Sequence, residues 1–286
     1  NWLSARKLGG QFILRIEDTD RTRYVEGSLD NIKSGLRWLG LEWDEGPDVG
    51  GPYGPYVQSE RLPIYHAYIQ TLLDSGHAYE TYYSKDELDA IRDAVGEADP
   101  VAFNRRVRSM PEEEKARRRE AGVRPAVLFK MPEEGETVVY DEIRGEIRFP
   151  NKSLRDPVLL KSDGFPTYHF AAMVDDGLMR ITDVLRGVEW LPSLPLHVQV
   201  IQALGWETPR FYHLSLFLDP SGKGKMSKRK GSNEYPIFVH QLREMGYLPE
   251  ALLNYLVRLG WSHGDQELFS LEELRQVFDL GAMSNW

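Results

Sequence analysis

The chain opens with a short apolar run that ends in a polar cluster. Residues 12–16 are mostly apolar, and four polar residues, 17–20, follow them directly. This pattern is typical of a buried strand in a parallel sheet, with polar residues placed at its carboxyl end. Residues with helical spacing come next, at Leu29, Ile32, Leu36 and Leu39. The pattern therefore predicts a strand followed by a helix that ends at Gly40.

The middle of the chain has a different pattern. From about Tyr79 onward, short charged helices precede four strand-like runs, residues 127–130, 138–141, 146–149 and 158–161. Ser109 and Glu112 have the spacing of a capping box, which predicts that a helix begins after Ser109. We interpret this region as an α+β insertion of roughly a hundred residues, near a typical domain size.

The α/β pattern resumes near Tyr168 and is followed by helices. Residues 181–186 are predicted to form a strand, and Ser270 with Glu273 predicts a second capping box. The predicted helices are 193–205, 249–259 and 270–280. The fold class is therefore predicted as α/β, with a parallel sheet that the insertion interrupts.

Composition and charge narrow the functional classes. The chain has 286 residues, no cysteine and a net charge of −9. Without cysteine the sequence has no disulfides, thiolate metal sites or cysteine nucleophiles, which fits a cytoplasmic protein. The negative charge argues against indiscriminate nucleic-acid binding, so any such contact needs a local basic patch. No apolar run has membrane-spanning length, and no signal peptide is recognisable.

The two ends of the sequence lack clear boundary signals. Residues 1–6 have the pattern of a helix tail, and residue 1 is Asn rather than an initiator Met. Residues 281–286 also stop without a recognisable end. We therefore expect that a segment upstream of Asn1 is missing from this sequence.

A cation-rich segment is the sharpest chemical motif. It runs Lys225-Met226-Ser227-Lys228-Arg229-Lys230-Gly231 and is preceded by a glycine-rich stretch. Phosphoryl and nucleotidyl transfer needs positive charge against a pyrophosphate leaving group. A solvated basic loop or a localisation signal has the same composition, so the motif alone leaves both interpretations open. Asp219 stands where a nucleotide-hydrolase phosphate loop needs its first glycine, which excludes that motif.

Lys225 to Arg229 resembles the second signature of class I aminoacyl-tRNA synthetases, and other stretches resemble their glutamyl branch in the family's order. The matching stretches are 12–21, 44–47, 58–61, 160–164, 166–170, 174–176 and 246–255. The resemblance covers nearly the whole chain. It implies ligation of glutamate to tRNA(Glu), with ATP and Mg²⁺ assisting, through a glutamyl-adenylate.

The resemblance also implies roles in binding glutamate. Glu17 would accept the α-ammonium group, although surface carboxylates are common. Tyr168 and Arg186 would read the side-chain carboxylate, because a guanidinium can hold a carboxylate through two hydrogen bonds. Arg15 is interpreted as structural, and His169 as a packed, hydrogen-bonded histidine rather than a phosphate contact.

Further implied roles concern ATP and tRNA. Lys228 and Lys225 would be catalytic; the expected ATP-binding residues are Lys225, Ser227, Lys228, Trp190 and Leu218. For Trp190 and Leu218, simple core packing is the alternative. Asp20 and Arg23 resemble positions near the terminal adenosine of tRNA, and a surface ion pair explains them equally well.

The insertion carries a basic stretch with two interpretations. Arg105, Arg106 and Arg108 are expected to meet the phosphates of the tRNA acceptor stem. A solvated helix face explains them as well, and neither interpretation is preferred.

The sequence departs from the family pattern at several places. The first class I signature, a His-x-Gly-His-type helix start, is absent and would lie just upstream of Asn1. Ala172 and Val188 stand where many relatives carry Asn and an acidic residue. Thr81 and Tyr83 replace zinc-binding cysteines of some relatives, so we expect no zinc and no other metal bound to side chains.

The resulting prediction is a Rossmann-type parallel sheet split by an acceptor-stem-binding insertion and followed by a helical stem-contact region. The predicted units are 1–62 and 167–212 for the catalytic domain, 63–166 for the insertion and 213–286 for the stem-contact region. The anticodon-binding domain of the family is expected to be missing, and the protein is expected to be a monomer.

Three alternatives to a glutamyl-tRNA synthetase remain. The first is glutaminyl-tRNA synthetase, against which the matches at 170–171 and 246–255 argue. The second is a tRNA-modifying paralogue, which lacks an intact Lys-Met-Ser-Lys-type loop. The third is a non-catalytic protein that binds the acceptor stem.

Overall fold

A computed structural model describes residues 1–20, 27–96, 99–216, 218, 236 and 238–283 of the chain. The helices are α1 (Trp2–Lys7), α2 (Ser28–Trp38), α3 (Leu62–Asp74), α4 (Lys85–Val95), α5 (Pro100–Arg108), α6 (Glu112–Glu120), α7 (Tyr168–Leu178), α8 (Leu194–Ala203), α9 (Val239–Glu244), α10 (Pro249–Val257) and α11 (Leu271–Val277). The strands are β1 (Ala78–Thr81), β2 (Ala126–Phe129), β3 (Glu136–Asp141), β4 (Gly145–Pro150), β5 (Val158–Leu160), β6 (Asp183–Gly187) and β7 (Arg210–Leu214). Within these residues, no helix has the length and apolar character needed to cross a membrane.

A four-stranded sheet with the order β4-β3-β7-β6 positions the site. β4 pairs antiparallel with β3, whereas β7 runs parallel to both of its neighbours. The register places Arg186 opposite His213 and Asp141 opposite Phe211. Arg186 and His213 therefore lie toward the carboxyl ends of β6 and β7, and β3 ends level with the start of β7, from where the Asp141 carboxylate reaches the His213 ring.

The predicted strand at 12–16 is an extended segment rather than a regular strand. It forms single parallel bridges, from Ile13 to Glu45 and from Ile16 to Val57. The backbone nitrogens of Leu14 and Ile16 donate to the carbonyl oxygens of Glu45 and Tyr56, each at 2.8 Å. The segment still presents its polar end, residues 15–17, toward α7, as a strand would.

The main hydrophobic core fills the space between α3, α7, α8 and the two sheets. Tyr65, Leu72, Phe170, Leu194 and Phe211 are almost completely buried in it. Burial of such large side chains contributes on the order of 2 kcal/mol each. The core fixes α7 and α8 against the four-stranded sheet, so side chains on their first turns lie beside the carboxyl ends of β6 and β7.

One helix start was predicted incorrectly. Ser109 is the C-cap of α5, and α6 begins at Glu112 after Pro111 without a side-chain cap. Proline cannot donate a backbone hydrogen bond and separates the two helices. A capping box instead begins α4 at Ser84 with Glu87, and the predicted box of Ser270 and Glu273 is confirmed at α11.

The second sheet, of order β1-β2-β5, is antiparallel and belongs to the predicted insertion. The hairpin β3–β4 also lies within 63–166, yet it pairs with β7 in the four-stranded sheet. The sheet therefore continues across the predicted boundary at residue 166. The division into 1–62, 63–166, 167–212 and 213–286 stays a prediction.

Candidate active site

A cavity of about 650 Å³ extends along β6, from Arg180 before the strand to Arg186 near its carboxyl end. It is lined by the extended segment 10–17, by α7 and by β6, and Tyr168 and Arg186 border it. Ligands of open α/β sheets bind at this edge of the sheet. The structure thus brings together the three predicted glutamate-binding residues, Glu17, Tyr168 and Arg186, around one cavity.

Arg186 is the most unusual residue of the cavity. Its Nε donates to His213 Nε2 at 2.9 Å, and its Nη1 donates to His197 Nδ1 at 2.8 Å. Its Nη2 is buried and has no hydrogen-bond partner. Burial lowers the pKa of Arg186 from its usual value, and the nearby Tyr168 and Asp176 partly oppose that shift. Arg186 therefore presents a buried donor that a bound anion would satisfy.

The chain of hydrogen bonds behind Arg186 continues to buried groups on both sides. Asp141, the last residue of β3, accepts from His213 Nδ1 at 2.7 Å. On the other side, His197 Nε2 and His169 Nδ1 are 2.9 Å apart. Burial lowers the pKa of all three histidines, and the positive charge of Arg186 lowers it further. These imidazoles are therefore uncharged at neutral pH.

Tyr168 begins α7, and its ring forms one wall of the site. The Trp190 ring lies 4.5 Å from it, centroid to centroid, and the His169 ring 5.6 Å away. Burial, with the negative charge of Glu17 next in importance, raises the pKa of Tyr168 to about 12. The phenol thus keeps its proton and remains a hydrogen-bond donor at neutral pH.

Glu17, which also lines the cavity, is held by Arg15. Arg15 Nη2 lies 2.9 Å from Glu17 Oε1, and Arg15 Nη1 lies 2.8 Å from Asp176 Oδ1. The structural interpretation of Arg15 agrees with this ion-pair network. Burial raises the pKa of Asp176, although the Arg15 charge opposes the shift.

Asp175 lies next to this network and is completely buried. Its carboxylate accepts hydrogen bonds from Gln58 Nε2 at 2.9 Å, Arg61 Nε at 2.7 Å and the Tyr65 hydroxyl at 2.9 Å. Stretches 58–61 and 174–176, which carry part of the family resemblance, therefore meet in space. Their shared carboxylate joins α7 to the start of α3.

Several predicted residues lie elsewhere. Lys225, Ser227, Lys228 and Arg23 lie outside the described residues. Asp20 is exposed at the end of the first described stretch, and Leu218 is 54% exposed. Trp190 packs on Tyr168, which borders the cavity.

The three arginines predicted to bind tRNA lie on α5 and differ in their partners. Arg108 forms two 2.6 Å hydrogen bonds with Asp156 and a 2.9 Å bond with Glu133. Arg105 pairs with Glu133 at 2.8 Å and remains 69% exposed. Arg106 is exposed. Their role in tRNA binding stays a prediction, with Arg108 occupied by intramolecular partners.

No group of three or more potential metal-ligating side chains occurs among the described residues.

The sequence pattern did not identify Asp141, His197 and His213 as site residues. All three are completely buried polar residues. Asp141 and His213 occupy positions within apolar strand runs, which is the one signal that marks them, because buried polar groups need a specific partner. Their common partner, Arg186, comes from a third element and cannot be read from spacing.

This α/β fold has a cavity along β6, and the half-buried Arg186 borders it, an arrangement that can hold a small anionic ligand. Residues 1–285 match the family of class I tRNA synthetases (E and Q), catalytic domain. The chain belongs to this family, which confirms the resemblance seen in the sequence.

Relatives of known name agree with that assignment. The chain is 49% identical over 279 residues to a glutamate–tRNA ligase of Thermus thermophilus, covering 97% of this chain and 58% of that protein. It is 49% identical over 286 residues to a glutamate–tRNA ligase of Herpetosiphon aurantiacus, covering 98% of this chain and 56% of that protein. The chain thus spans little more than half the length of these relatives.

The fold agrees as well. A crystal structure of a glutamate–tRNA ligase from Elizabethkingia meningosepticum, in complex with its amino acid, superposes with a TM-score of 0.90 at 44% identity. The match covers 99% of this chain and 61% of that one. The predicted α/β fold class is confirmed.

Proposed function

We propose that this chain is the catalytic core of an enzyme that ligates glutamate to tRNA(Glu) through a glutamyl-adenylate. The observation that carries the proposal is Arg186, which borders the cavity and whose buried Nη2 has no hydrogen-bond partner. A glutamate side-chain carboxylate supplies both the missing acceptor and the missing negative charge. Tyr168 adds a phenol donor on the same side of the cavity.

A second charged residue of the cavity fits the other end of an amino acid. Glu17 is the carboxylate that would accept the α-ammonium group, and Arg15 holds it in place at 2.9 Å. Glutamate bound between Arg186 and Glu17 would direct its α-carboxylate toward ATP. The α-carboxylate then attacks the α-phosphorus, and pyrophosphate leaves.

The remaining chemistry is positioning and charge stabilisation. Lys228 and Lys225 would neutralise the departing pyrophosphate, with Ser227 contacting ATP and Mg²⁺ accompanying it. Trp190 and Leu218 would border the adenosine. A ribose hydroxyl of the terminal adenosine, placed near Asp20 and Arg23, would then attack the activated carbonyl.

The acceptor stem would dock on the insertion through Arg105, Arg106 and Arg108. We further propose a cytoplasmic monomer, in which tRNA is the macromolecular partner.

The alternative glutaminyl enzyme would bind a neutral amide in the same cavity. The charge of Arg186 favours the carboxylate, because burying an unpaired cation is costly and only an anion offsets it. A non-catalytic protein that binds the acceptor stem has no need for this cavity.

A reaction assay tests the proposal. The complete gene product should transfer glutamate, and not glutamine, to tRNA(Glu) in the presence of ATP and Mg²⁺, and should form glutamyl-adenylate detectable by mass spectrometry. Transfer of glutamine with comparable efficiency would support the glutaminyl alternative. Binding of tRNA without any adenylate formation would support the non-catalytic one.

A further inference from the structure

Two histidines hold the guanidinium of Arg186 from behind. His213 accepts from Nε and His197 accepts from Nη1, at 2.9 Å and 2.8 Å. Both imidazoles have no exposed surface. The Phe211 ring centroid lies 5.3 Å from Arg186 Cζ, so the guanidinium is also packed on its face. These contacts leave Nη2 as the nitrogen without a partner.

The hydrogen-bond pattern fixes the tautomer of each ring. A guanidinium only donates, so His213 Nε2 and His197 Nδ1 must both be acceptors without a proton. The proton of His213 therefore lies on Nδ1, where it is donated to Asp141 at 2.7 Å. The proton of His197 lies on Nε2, where it is donated to His169 Nδ1 at 2.9 Å. Geometry alone thus makes both rings uncharged.

Asp141 has enough other donors to remain an acceptor in this arrangement. Its Oδ1 accepts from the backbone nitrogens of Ile143 at 3.1 Å and Arg144 at 2.9 Å, and its Oδ2 also accepts from the backbone nitrogen of His213 at 3.0 Å. The carboxylate is therefore fixed by the turn after β3 and orients His213 without contacting Arg186. One imidazole separates it from the guanidinium.

Uncharged partners have a consequence for ligand choice. Buried arginines elsewhere in this chain are held by carboxylates, as Arg61 is by Asp175 at 2.7 Å. A carboxylate at the place of His197 or His213 would orient Arg186 equally well and would cancel its charge. Imidazole acceptors orient the guanidinium and leave the positive charge for the ligand.

We propose that His197 and His213, the latter oriented by Asp141, are positioning residues that make the Arg186 site select a carboxylate over an isosteric amide by holding the guanidinium with uncharged acceptors. The inference rests on the proposed function, in which Arg186 reads the glutamate side chain. It concerns the origin of the discrimination between glutamate and glutamine rather than the reaction.

Pairs of variants that differ only in charge test the proposal. In His197→Asn and His197→Asp, a side-chain oxygen replaces Nδ1, neutral in the first and anionic in the second. In His213→Gln and His213→Glu, a side-chain oxygen replaces Nε2 in the same way. A carboxylate so close to a guanidinium stays ionised. Calorimetric titration of this chain with L-glutamate and with L-glutamine measures the preference.

The neutral variants should keep most of the preference for glutamate. The acidic variants should weaken glutamate binding by roughly tenfold or more, the scale of one charged pairing, and should leave glutamine binding nearly unchanged. Equal losses for the neutral and acidic members of a pair, on both ligands, would overturn the proposal, because the histidines would then be structural only.

Two further outcomes are distinguishable. If the parent chain binds neither ligand, the proposed function fails, and this inference fails with it. If the acidic variants do not fold, ¹⁵N chemical shifts of the parent histidines decide. The proposal requires neutral rings at neutral pH, with the proton on Nδ1 of His213 and on Nε2 of His197. A charged ring or the opposite tautomer would contradict it.

Discussion

Two partly buried arginines, Arg186 at the end of β6 and Arg108 at the end of α5, are both oriented by side chains of the protein. They differ in the charge of the side chains that hold them. Arg108 forms a bidentate pair with Asp156, at 2.6 Å for both bonds, and a further bond to Glu133. Arg186 is oriented by two uncharged imidazoles and keeps an unpartnered Nη2. An arginine paired directly with carboxylates joins elements of the fold, whereas an arginine held by uncharged acceptors is prepared for an anionic ligand.

The first prediction tests the structural side of this comparison. Arg108→Ala leaves Asp156, which has no exposed side-chain surface, without its main countercharge. We expect a loss of about 3–5 kcal/mol in the free energy of unfolding, measured by urea denaturation. Glutamate binding by the folded fraction should not change. If Arg108→Ala lost little stability but bound glutamate more weakly, Arg108 would not be a purely structural arginine, and its contrast with Arg186 would be wrong.

The second prediction concerns cations outside the described residues. Lys228→Ala should lower the rate of adenylate formation by roughly 10²–10³, the scale of one lost preorganised charge stabiliser. ATP affinity should weaken much less, because the lysine acts on charge that develops as pyrophosphate leaves. Single-turnover rates beside equilibrium ATP titration measure both effects in the complete gene product.

Equal losses of rate and ATP affinity would make this segment a binding element. No change in either would mean that Lys228 is solvated.

The third prediction uses pH to test the uncharged state of the histidines. The pKa of His169, His197 and His213 is lowered in the folded protein, mainly by burial. Protonation therefore favours the unfolded chain, and their contribution to stability is complete above the ordinary histidine pKa of about 6.5 and is lost as pH falls below it. Urea midpoints should decrease between about pH 7.5 and 5.5.

The matched control is His197→Asn, whose urea midpoint should decrease less than that of the parent over the same pH range. Carboxylates act in a separate window. Hydrogen bonds from Arg118 and the backbone of Ser84 lower the pKa of Glu87 to about 2, so its contribution is lost only at more acidic pH. A midpoint independent of pH between 7.5 and 5.5 would show that the imidazoles are not held neutral by the fold.

The fourth and smallest effect concerns tRNA. Arg106→Glu should weaken tRNA binding and reduce its salt slope by about 1, the value expected for one lost phosphate contact. Arg148→Glu is the control, because Arg148 lies on β4 and pairs with Glu136 at 3.2 Å and Glu146 at 2.7 Å. Identical salt slopes for parent and Arg106→Glu would show that α5 does not meet the acceptor stem.

Prediction from sequence succeeded for features set by neighbouring residues and failed for contacts between residues far apart in the chain. Short-range signals were sufficient for β6, whose observed range Asp183–Gly187 nearly coincides with the predicted 181–186. They failed at Ser109, because the same spacing occurs at the end of a helix and Pro111 decides the start of the next one. Arg186 and Tyr168 were identified through motifs that each occupy one stretch of sequence.

The groups that orient Arg186 were not identifiable in this way. Asp141, His197 and His213 lie on β3, α8 and β7, and only the parallel register and the packing of α8 bring them together. A contact between residues 72 positions apart, such as Asp141 and His213, has no local signature in the sequence. A buried polar residue in a strand is a clue that a partner exists, but its identity depends on the folded structure.

The central claim is that Arg186 is the carboxylate reader of the cavity. The most direct test is calorimetric titration of L-glutamate into the parent chain, Arg186→Ala and the control Arg148→Ala. We predict that Arg186→Ala loses on the order of 2–5 kcal/mol of binding free energy, as expected for a truncated buried charge pair, while Arg148→Ala binds as the parent does. Unchanged glutamate affinity in a folded Arg186→Ala variant would contradict the account.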